Sequence, residues 1–333
     1  MLLNQIWYGP FSLLVRFLRL CLLPFSLLFW FISAIRRFLY KSHIFKSKKI
    51  PVTVVIVGGI TVGGAGKTPL SIALIEELYK KGYKVGLISR GYKSKQTSFP
   101  YEVLEGGDVS LCGDEPLLIK NTVKDKAKVF IDPIRSRGAY ALYEKGCDVI
   151  LSDDGLQHYA LNRSLEIAVL DGKRLWGNGL FLPAGPLREG LWRLKTVDFV
   201  VVNGESKFDF YNFKLKPQNP VALKDGTPLM HKTVIALSGI ANPERFYKTC
   251  ENLGLTLVKK VDVLDHHSIS KEELLKLSQN YPVVMTSKDA VKYAHMGIDN
   301  LYELKVLACI EGDFVKNLLN KLEACKKLMI YKI

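Results

Sequence analysis

The sequence contains few cysteines, and those it has do not occur as pairs. Six cysteines in 333 residues form neither a C-x-x-C pair nor a spacing typical of metal ligands. They are Cys21, Cys112, Cys147, Cys250, Cys309 and Cys325. A disulfide framework or a structural zinc site is therefore not expected, and the pattern is typical of a protein that folds in a reducing cytosol.

Acidic residues are absent from the first 49 positions. This segment contains eight Lys and Arg residues and no Asp or Glu, so it supplies +8 of the net charge of +15. More than half of the excess charge thus lies in one terminal segment, and no nucleic-acid-binding motif accompanies it. We therefore expect no nucleic acid partner, although the isoelectric point is about 9.4.

The same segment is the most apolar part of the chain. A charge-free run covers residues 20–35, and a basic cluster follows at 36–49. A helix that crosses a bilayer needs about 20 apolar residues, so the run is short for a perpendicular span. We predict a membrane-associated helical segment over residues 1–49 and slightly prefer a full span to a helix that only embeds.

Two other interpretations of this segment are less consistent with its charges. A cleaved signal peptide needs a basic region at the extreme N-terminus and a small-residue cleavage site ahead of the folded domain, and neither is evident. A helix buried in a protein core rarely carries such a basic flank.

After Lys49, short β-branched runs alternate with amphipathic stretches. The runs that resemble buried strands are 52–57, 84–88, 128–131, 149–151, 167–170 and 199–202. The segments between them are long enough for crossover helices, which favours a doubly wound, mostly parallel α/β sheet.

A glycine-rich loop follows the first of these strands. Its residues are Thr61, Val62, Gly63, Gly64, Ala65, Gly66, Lys67 and Thr68, and a helix is predicted to start near Pro69. In a P-loop, successive backbone N–H groups cradle the nucleotide phosphates, the lysine reaches the β and γ oxygens, and the hydroxyl ligates Mg²⁺. The loop predicts ATP and Mg²⁺ as cofactors, although Thr61 stands where the strict pattern has glycine.

Two carboxylates follow a second strand. The run 149–151 continues into Ser152, Asp153 and Asp154. This is how a Walker B segment delivers an acid to the metal ion at the carboxyl edge of the sheet, so Thr68, Asp153 and Asp154 are predicted metal ligands. The alternative is that the paired acids only cap the next turn. Gln157 and His158 follow closely enough to line the same nucleotide site.

A polar stretch with Pro and Gly at 214–231 predicts a linker or hinge, after which 234–237 restarts the strand–helix alternation. We therefore divide the chain into three parts. They are the membrane-associated segment 1–49, a P-loop NTPase-type domain 50–215, and the linker with a smaller C-terminal α/β domain 216–333.

Seven short motifs, taken in order, resemble the tetraacyldisaccharide 4'-kinase family. They are TVGGAGKTP (61–69), SRGY (89–92), GDEP (113–116), DDGLQH (153–158), LPAGPLRE (182–189), DHH (265–267) and MTSKDAVK (285–292). Each is weak alone, but the ordered set is specific, and the threonine at the start of the loop is itself a family feature. The departures from the family pattern concern loop details, at Gly59, Ala65, Gly190 and Ser287.

The resemblance implies an ATP-dependent kinase that phosphorylates the 4'-hydroxyl of a tetraacylated glucosamine disaccharide 1-phosphate, a late step of lipid A biosynthesis. The implied partners are this lipid substrate and a membrane surface. A substrate with four acyl chains leaves a bilayer only at a cost of about 0.8 kcal/mol per CH₂, so the enzyme must approach the membrane. The implied location is the cytoplasmic face of the bacterial inner membrane, with attachment through the N-terminal segment.

The resemblance also implies catalytic roles. Asp114 and His266 correspond to the acid–base pair that assists removal of the sugar hydroxyl proton, and Lys67 and Arg188 to the cations that stabilise the transferring phosphoryl group. Each assignment has an alternative in ordinary structure. Asp114 could cap a helix, His266 could be a surface histidine, and Arg188 could be a solvated arginine.

Two further possibilities stay open at the level of sequence. Arg135 or Arg137 could replace Arg188 at the phosphoryl group. A membrane-targeting P-loop ATPase that uses nucleotide as a conformational switch is the main functional rival. Val62 argues against that rival, because such deviant loops carry a lysine near the start of the motif.

Overall fold

The computed structural model of the protein describes residues 2–9, 12–263 and 267–330. These residues form an N-terminal pair of helices and two α/β units, each built on its own sheet.

The large sheet contains nine strands within the described residues. In chain order they are β1 (Thr53–Gly58), β2 (Val85–Ser89), β3 (Tyr101–Val103), β4 (Ala127–Ile131), β5 (Val149–Asp153), β6 (Leu165–Asp171), β7 (Phe199–Asn203), β8 (Tyr211–Pro217) and β14 (Val306–Ile310). Across the sheet the order is β14-β8-β7-β6-β1-β5-β2-β4-β3. Only the two edge pairs are antiparallel, β3 with β4 and β14 with β8. The predicted doubly wound, mostly parallel sheet is thereby confirmed.

The central strand β1 shows why both faces of this sheet are covered. All six of its residues are buried, as expected for a parallel strand between two helical layers. Val55 and Val57 pack into the core on one face, whereas Val54 and Ile56 pack into the core on the other. The helices of this unit are α3 (Lys67–Lys80), α4 (Val109–Cys112), α5 (Asp114–Val123), α6 (Arg135–Glu144) and α10 (Phe314–Ile330). Short 3₁₀ helices lie at Lys124–Lys126, Leu191–Lys195 and Ala294–Met296.

The small sheet has five strands in the described part of the chain. They are β9 (Val221–Ala222), β10 (Thr233–Ser238), β11 (Thr256–Asp262), β12 (Val283–Thr286) and β13 (Leu301–Leu304). The helices α7 (Pro243–Asn252), α8 (Lys271–Asn280) and α9 (Ser287–Tyr293) cover it. We call residues 221–304 the small-sheet unit.

The end of the chain differs from the predicted division, which assigned 216–333 to the second domain. After the small-sheet unit the chain returns to the large sheet, where β14 pairs with β8. Helix α10 then buries Phe314, Leu318 and Leu322 in the same core as β1 and α3. Strand and helix patterns do not reveal which sheet an element joins, so the sequence missed this return.

The N-terminal segment consists of α1 (Leu2–Tyr8) and α2 (Leu13–Lys41). Helix α2 has 29 residues and is therefore about 44 Å long. Ser12 caps its start by accepting a hydrogen bond from the N–H of Val15 at 3.3 Å. Within the described residues, α2 is the one helix whose length and composition would allow it to cross a membrane.

One side of α2 packs against the large-sheet unit, and the other side is exposed. Ser26 Oγ donates to the Phe181 carbonyl at 2.9 Å and accepts from the Ala184 N–H at 3.0 Å. Further along, the Arg37 guanidinium lies over the Trp192 ring, 3.4 Å from its centroid. The exposed side carries large apolar side chains, among them Phe17, Phe25, Leu27, Trp30 and Phe31.

Candidate active site

The glycine-rich loop joins β1 to α3 and contains two glycines with positive φ. Gly63 and Gly66 adopt φ of +110° and +90°, which residues with side chains rarely do. Thr61 instead forms an isolated bridge with Leu187, and the next N–H, of Val62, donates to the Pro186 carbonyl at 2.9 Å. The first position of this loop is therefore extended, and it needs no glycine.

Three predicted site residues meet at the carboxyl edge of the large sheet. Strand β5 ends at Asp153, and Asp154 follows with φ of +46°, an uncommon conformation that is concentrated at functional sites. Asp154 Oδ1 lies 3.5 Å from Lys67 Nζ, and its Oδ2 accepts a hydrogen bond from Arg188 Nη1 at 2.8 Å. Lys67, Asp154 and Arg188 therefore form one contiguous charged cluster next to the loop.

The two adjacent carboxyl groups differ in pKa. Burial, followed by the negative charges of Glu115 and Asp154, raises the pKa of Asp153 to about 7. Burial alone would also raise the pKa of Asp154, but the Lys67 ammonium and the Arg188 guanidinium outweigh it and hold that pKa well below its usual range. The charge that faces the loop is therefore on Asp154.

The predicted magnesium ligands offer a suitable set of oxygen donors. Mg²⁺ is usually held by one or two carboxylates, a hydroxyl and substrate phosphates rather than by a protein cage. Consistent with this, the described residues contain no cluster of three or more His, Cys, Asp or Glu arranged for a metal. Asp154 Oδ1 is buried and accepts no hydrogen bond in the described part of the chain. Asp153 Oδ1 accepts one from Ser71 Oγ at 3.2 Å, and Thr68 lies in the first turn of α3.

Gln157 contacts both Arg188 and Gly59, the residue that follows β1. Its Nε2 donates to the Gly59 carbonyl at 3.1 Å and to Glu189 Oε2 at 3.0 Å, and its Oε1 lies 3.4 Å from Arg188 Nη1. It therefore ties the strand before the loop to the segment that carries Arg188.

His158 lies in a strongly cationic region. Burial, together with the charges of Arg135 and Arg36, lowers its pKa to about 4, so the imidazole is neutral at pH 7. Among the described residues nothing hydrogen-bonds to its buried Nε2.

Arg135 and Arg137, the alternatives to Arg188, occupy other positions. Arg135 is buried, and its Nη1 donates to the backbone carbonyl of Asp154 at 2.9 Å. Arg137 forms an ion pair with Asp132 at 2.7 Å. Of the three arginines, Arg188 is the one whose side chain contacts the Asp154 carboxylate in the described structure.

Asp114 is the first residue of α5 and is buried. Gly113 occupies the N-cap position with φ of +83° and makes no side-chain cap hydrogen bond, so Asp114 is not the N-cap residue of α5. Asp114 Oδ1 accepts from the N–H of Glu115 at 3.2 Å. His266 lies outside the described residues, and its pairing with Asp114 stays a prediction.

Two acidic residues near the site were not identified from the sequence. Glu189 is buried and accepts hydrogen bonds from Gln157 and from the Tyr159 hydroxyl. Glu115 pairs with Lys288 of α9 at 3.1 Å, which joins the small-sheet unit to α5. Both acids belong to motifs noted above, LPAGPLRE and GDEP, and those motifs were the available signal.

Comparison with known proteins shows to which family the chain is similar. The family model described as tetraacyldisaccharide-1-P 4'-kinase matches residues 18–323. A tetraacyldisaccharide 4'-kinase of Pasteurella multocida is 39% identical over 330 residues, covering 97% of this chain and 99% of the relative. One from Legionella pneumophila strain Corby is 42% identical over 316 residues, covering 93% and 94%.

A solved structure shares the fold. A crystal structure of LpxK from Aquifex aeolicus in complex with ATP superposes with a TM-score of 0.76 at 30% sequence identity, covering 92% of this chain and 99% of that chain. The match to the family model and the similarity to its curated relatives both extend over nearly the whole chain, and the chain therefore belongs to the tetraacyldisaccharide 4'-kinase family.

Proposed function

We propose that this protein transfers the γ-phosphoryl group of ATP to the 4'-hydroxyl of a tetraacylated glucosamine disaccharide 1-phosphate, a step in lipid A biosynthesis. The observation that carries the proposal is the contact of Lys67 and Arg188 with Asp154 beside the P-loop. Two cations fixed next to a phosphate-binding loop can stabilise the charge of a transferring phosphoryl group. The names of the relatives supply the acceptor.

Residues 61–68 would hold the ATP phosphates through their backbone N–H groups, with Lys67 directed to the β and γ oxygens. Thr68, Asp153 and Asp154 would hold Mg²⁺, which when bound neutralises charge on the phosphate oxygens. Arg188 is kept in place by Asp154 and Gln157, so it requires little reorganisation to reach the phosphoryl group.

Proton removal from the sugar hydroxyl would fall to Asp114 together with His266. Asp114 is buried at the start of α5, beside Glu115, whose charge also reaches Asp153. The effect of its neighbour Glu115 on Asp153 supports a position of Asp114 close to the carboxylates that would hold the metal. A carboxylate within hydrogen-bond reach of the acceptor can act as a general base.

Helix α2 would attach the protein to the membrane by its exposed apolar side. Contacts with the large-sheet unit at Ser26, in the middle of the helix, and at Arg37, near its end, occupy the other side. A helix held along a folded domain in this way can embed in one leaflet more readily than it can cross the bilayer. The basic residues after it would face anionic headgroups on the cytoplasmic side.

A transfer assay tests the proposal. Detergent-solubilised protein is incubated with γ-labelled ATP, Mg²⁺ and the tetraacylated disaccharide 1-phosphate, and label is counted in the lipid fraction. We expect label to depend on the lipid and to disappear with EDTA. Release of labelled inorganic phosphate without labelled lipid would favour the rival, a P-loop ATPase that acts as a conformational switch.

A further inference from the structure

We infer that Arg245, in the small-sheet unit, and Asn203, at the end of β7, position the P-loop and couple it to the small-sheet unit. This inference rests on the proposed function, because it takes the loop as the nucleotide site. The roles proposed above explain neither residue, and both lie outside the sequence motifs.

Asn203 packs against the loop. It is the last residue of β7, which is two strands from β1, and it is buried. Its Nδ2 donates to the Ala65 carbonyl at 3.2 Å. A Cβ atom at Gly66 would lie 2.6 Å from the same nitrogen, so the amide packs directly on the residue before Lys67.

Arg245 fixes that amide from the other side. Arg245 belongs to α7, and its Nη2 donates to Asn203 Oδ1 at 3.1 Å while its Nη1 lies 3.1 Å from Asp171 Oδ2. The guanidinium therefore bridges the ends of β6 and β7, as its planar fork allows. Because a guanidinium only donates, it also determines which end of the amide faces the loop.

The contact with Arg245 fixes the orientation of the Asn203 amide. Its oxygen faces the small-sheet unit, and its nitrogen faces the loop. Losing Arg245 would free the amide to rotate and would leave the Ala65 carbonyl without a fixed donor. Since coupling between two sites is reciprocal, nucleotide bound on the loop must favour the Arg245 contact as much as that contact favours the nucleotide.

Hydrogen exchange of the full chain in detergent measures this coupling, with adenylyl imidodiphosphate as the probe. In the wild type we expect the nucleotide to slow exchange both in the loop (61–68) and in α7. In Arg245→Ala we expect protection of the loop alone and a Kd for the probe that is higher by about ten-fold. A residue that served only general stability would change exchange in α7 equally with and without nucleotide.

Three variants refine the test. Asn203→Asp keeps an acceptor for Arg245 but removes the donor to Ala65, so it should raise the Kd as Arg245→Ala does. Arg245→Lys should restore part of the affinity, because an ammonium can meet one of the two acceptors. Lys248→Ala is the matched control, since Lys248 is exposed on the same helix. It should leave the Kd and the protection unchanged.

Two results would overturn the inference. One is wild-type protein in which the nucleotide protects the loop but not α7. The other is Arg245→Ala and Asn203→Asp variants that keep wild-type affinity and α7 protection. Failure of the wild type to bind nucleotide at all is distinguishable, because it would overturn the proposed function and the inference with it.

Discussion

At the scale of residues, the two adjacent carboxylates after β5 lie in opposite surroundings. Asp153 is buried near Glu115, whereas the ionised Asp154 carboxylate pairs with the cations Lys67 and Arg188. The unusual backbone conformation of Asp154 turns its side chain toward these cations rather than along the strand. The arrangement concentrates charge of both signs at the point where the phosphates would lie.

Replacing Lys67 tests this cluster. Lys67→Ala removes the principal cation of the loop, and we expect kcat for lipid phosphorylation to fall by about 10²- to 10⁴-fold. Lys80→Ala is the control, because Lys80 lies at the exposed end of the same helix and pairs with Glu77. Steady-state kinetics measure both. Activity of Lys67→Ala within a few-fold of the wild type would refute the assignment.

His158 gives a pH-dependent prediction. Its folded pKa of about 4 lies below the ordinary value of 6.5, so between these values the unfolded chain binds more protons and the free energy of unfolding rises with pH. The stability advantage of the wild type over His158→Gln should therefore shrink as pH falls from 6.5 toward 4. Urea unfolding at several pH values measures it.

The control for this measurement is His295→Gln, at an exposed position. A stability difference between wild type and His158→Gln that stays constant across this pH range would show that His158 does not titrate as described.

Motifs predicted some of these residues but not others. Lys67, Asp154 and Arg188 belong to glycine- and proline-bearing segments with recognisable chemistry. Asn203 ends a strand of ordinary composition, and its partner Arg245 lies 42 residues later in the sequence. A contact between two such residues depends on how the units pack, which their local sequences do not contain.

At the scale of elements, α2 extends beyond the apolar run that predicted it. The run at 20–35 predicts the apolar side, but the helix covers Leu13–Lys41, because Ser12 caps its start and Ser26 and Arg37 pack on the large-sheet unit. Ser26 is a single polar residue within the apolar run and Arg37 belongs to the basic cluster after it, so hydropathy alone does not reveal that both pack on the large-sheet unit.

The exposed side of α2 can be tested without removing the helix. Leu27 and Phe31 are one turn apart, and both are exposed. We expect Leu27→Asp combined with Phe31→Asp to shift the protein from the membrane to the soluble fraction and to slow turnover on bilayer-presented substrate, because charge opposes insertion. Fractionation after a carbonate wash measures the shift.

Leu104→Asp serves as the control for this pair, since Leu104 is an exposed apolar residue on the large-sheet unit. If the double variant stayed in washed membranes as the wild type does, another surface would have to provide the attachment.

At the scale of the whole molecule, the chain crosses between the two units twice, at 217–221 and at 304–306. Side-chain contacts add to these crossings, Lys288 with Glu115 and Arg245 with Asn203. Sequence patterns predicted two α/β units, but the return of β14 and α10 to the large sheet could not be read from them. By their sequence patterns, β14 and α10 could pack in the core of either unit.

We expect the contact between Lys288 and Glu115 to affect catalysis, because Glu115 lies next to Asp114 at the start of α5. Lys288→Ala should loosen α9 from the helix that begins with Asp114, and we expect kcat to fall by about ten-fold with little change in the KM for ATP. Lys276→Ala, at an exposed position of α8, is the matched control. An unchanged kcat in Lys288→Ala would show that this contact does not align Asp114, the proposed acid–base residue.

The most direct measurement of the central claim identifies where the phosphoryl group goes. Wild-type protein and Lys67→Ala are incubated with γ-labelled ATP, Mg²⁺ and either the tetraacylated disaccharide 1-phosphate or its 4'-deoxy analogue. We expect one label per disaccharide with wild-type protein, nearly none with Lys67→Ala, and none on the 4'-deoxy analogue. Labelling of the 4'-deoxy analogue, or ATP consumption without labelled lipid, would contradict it.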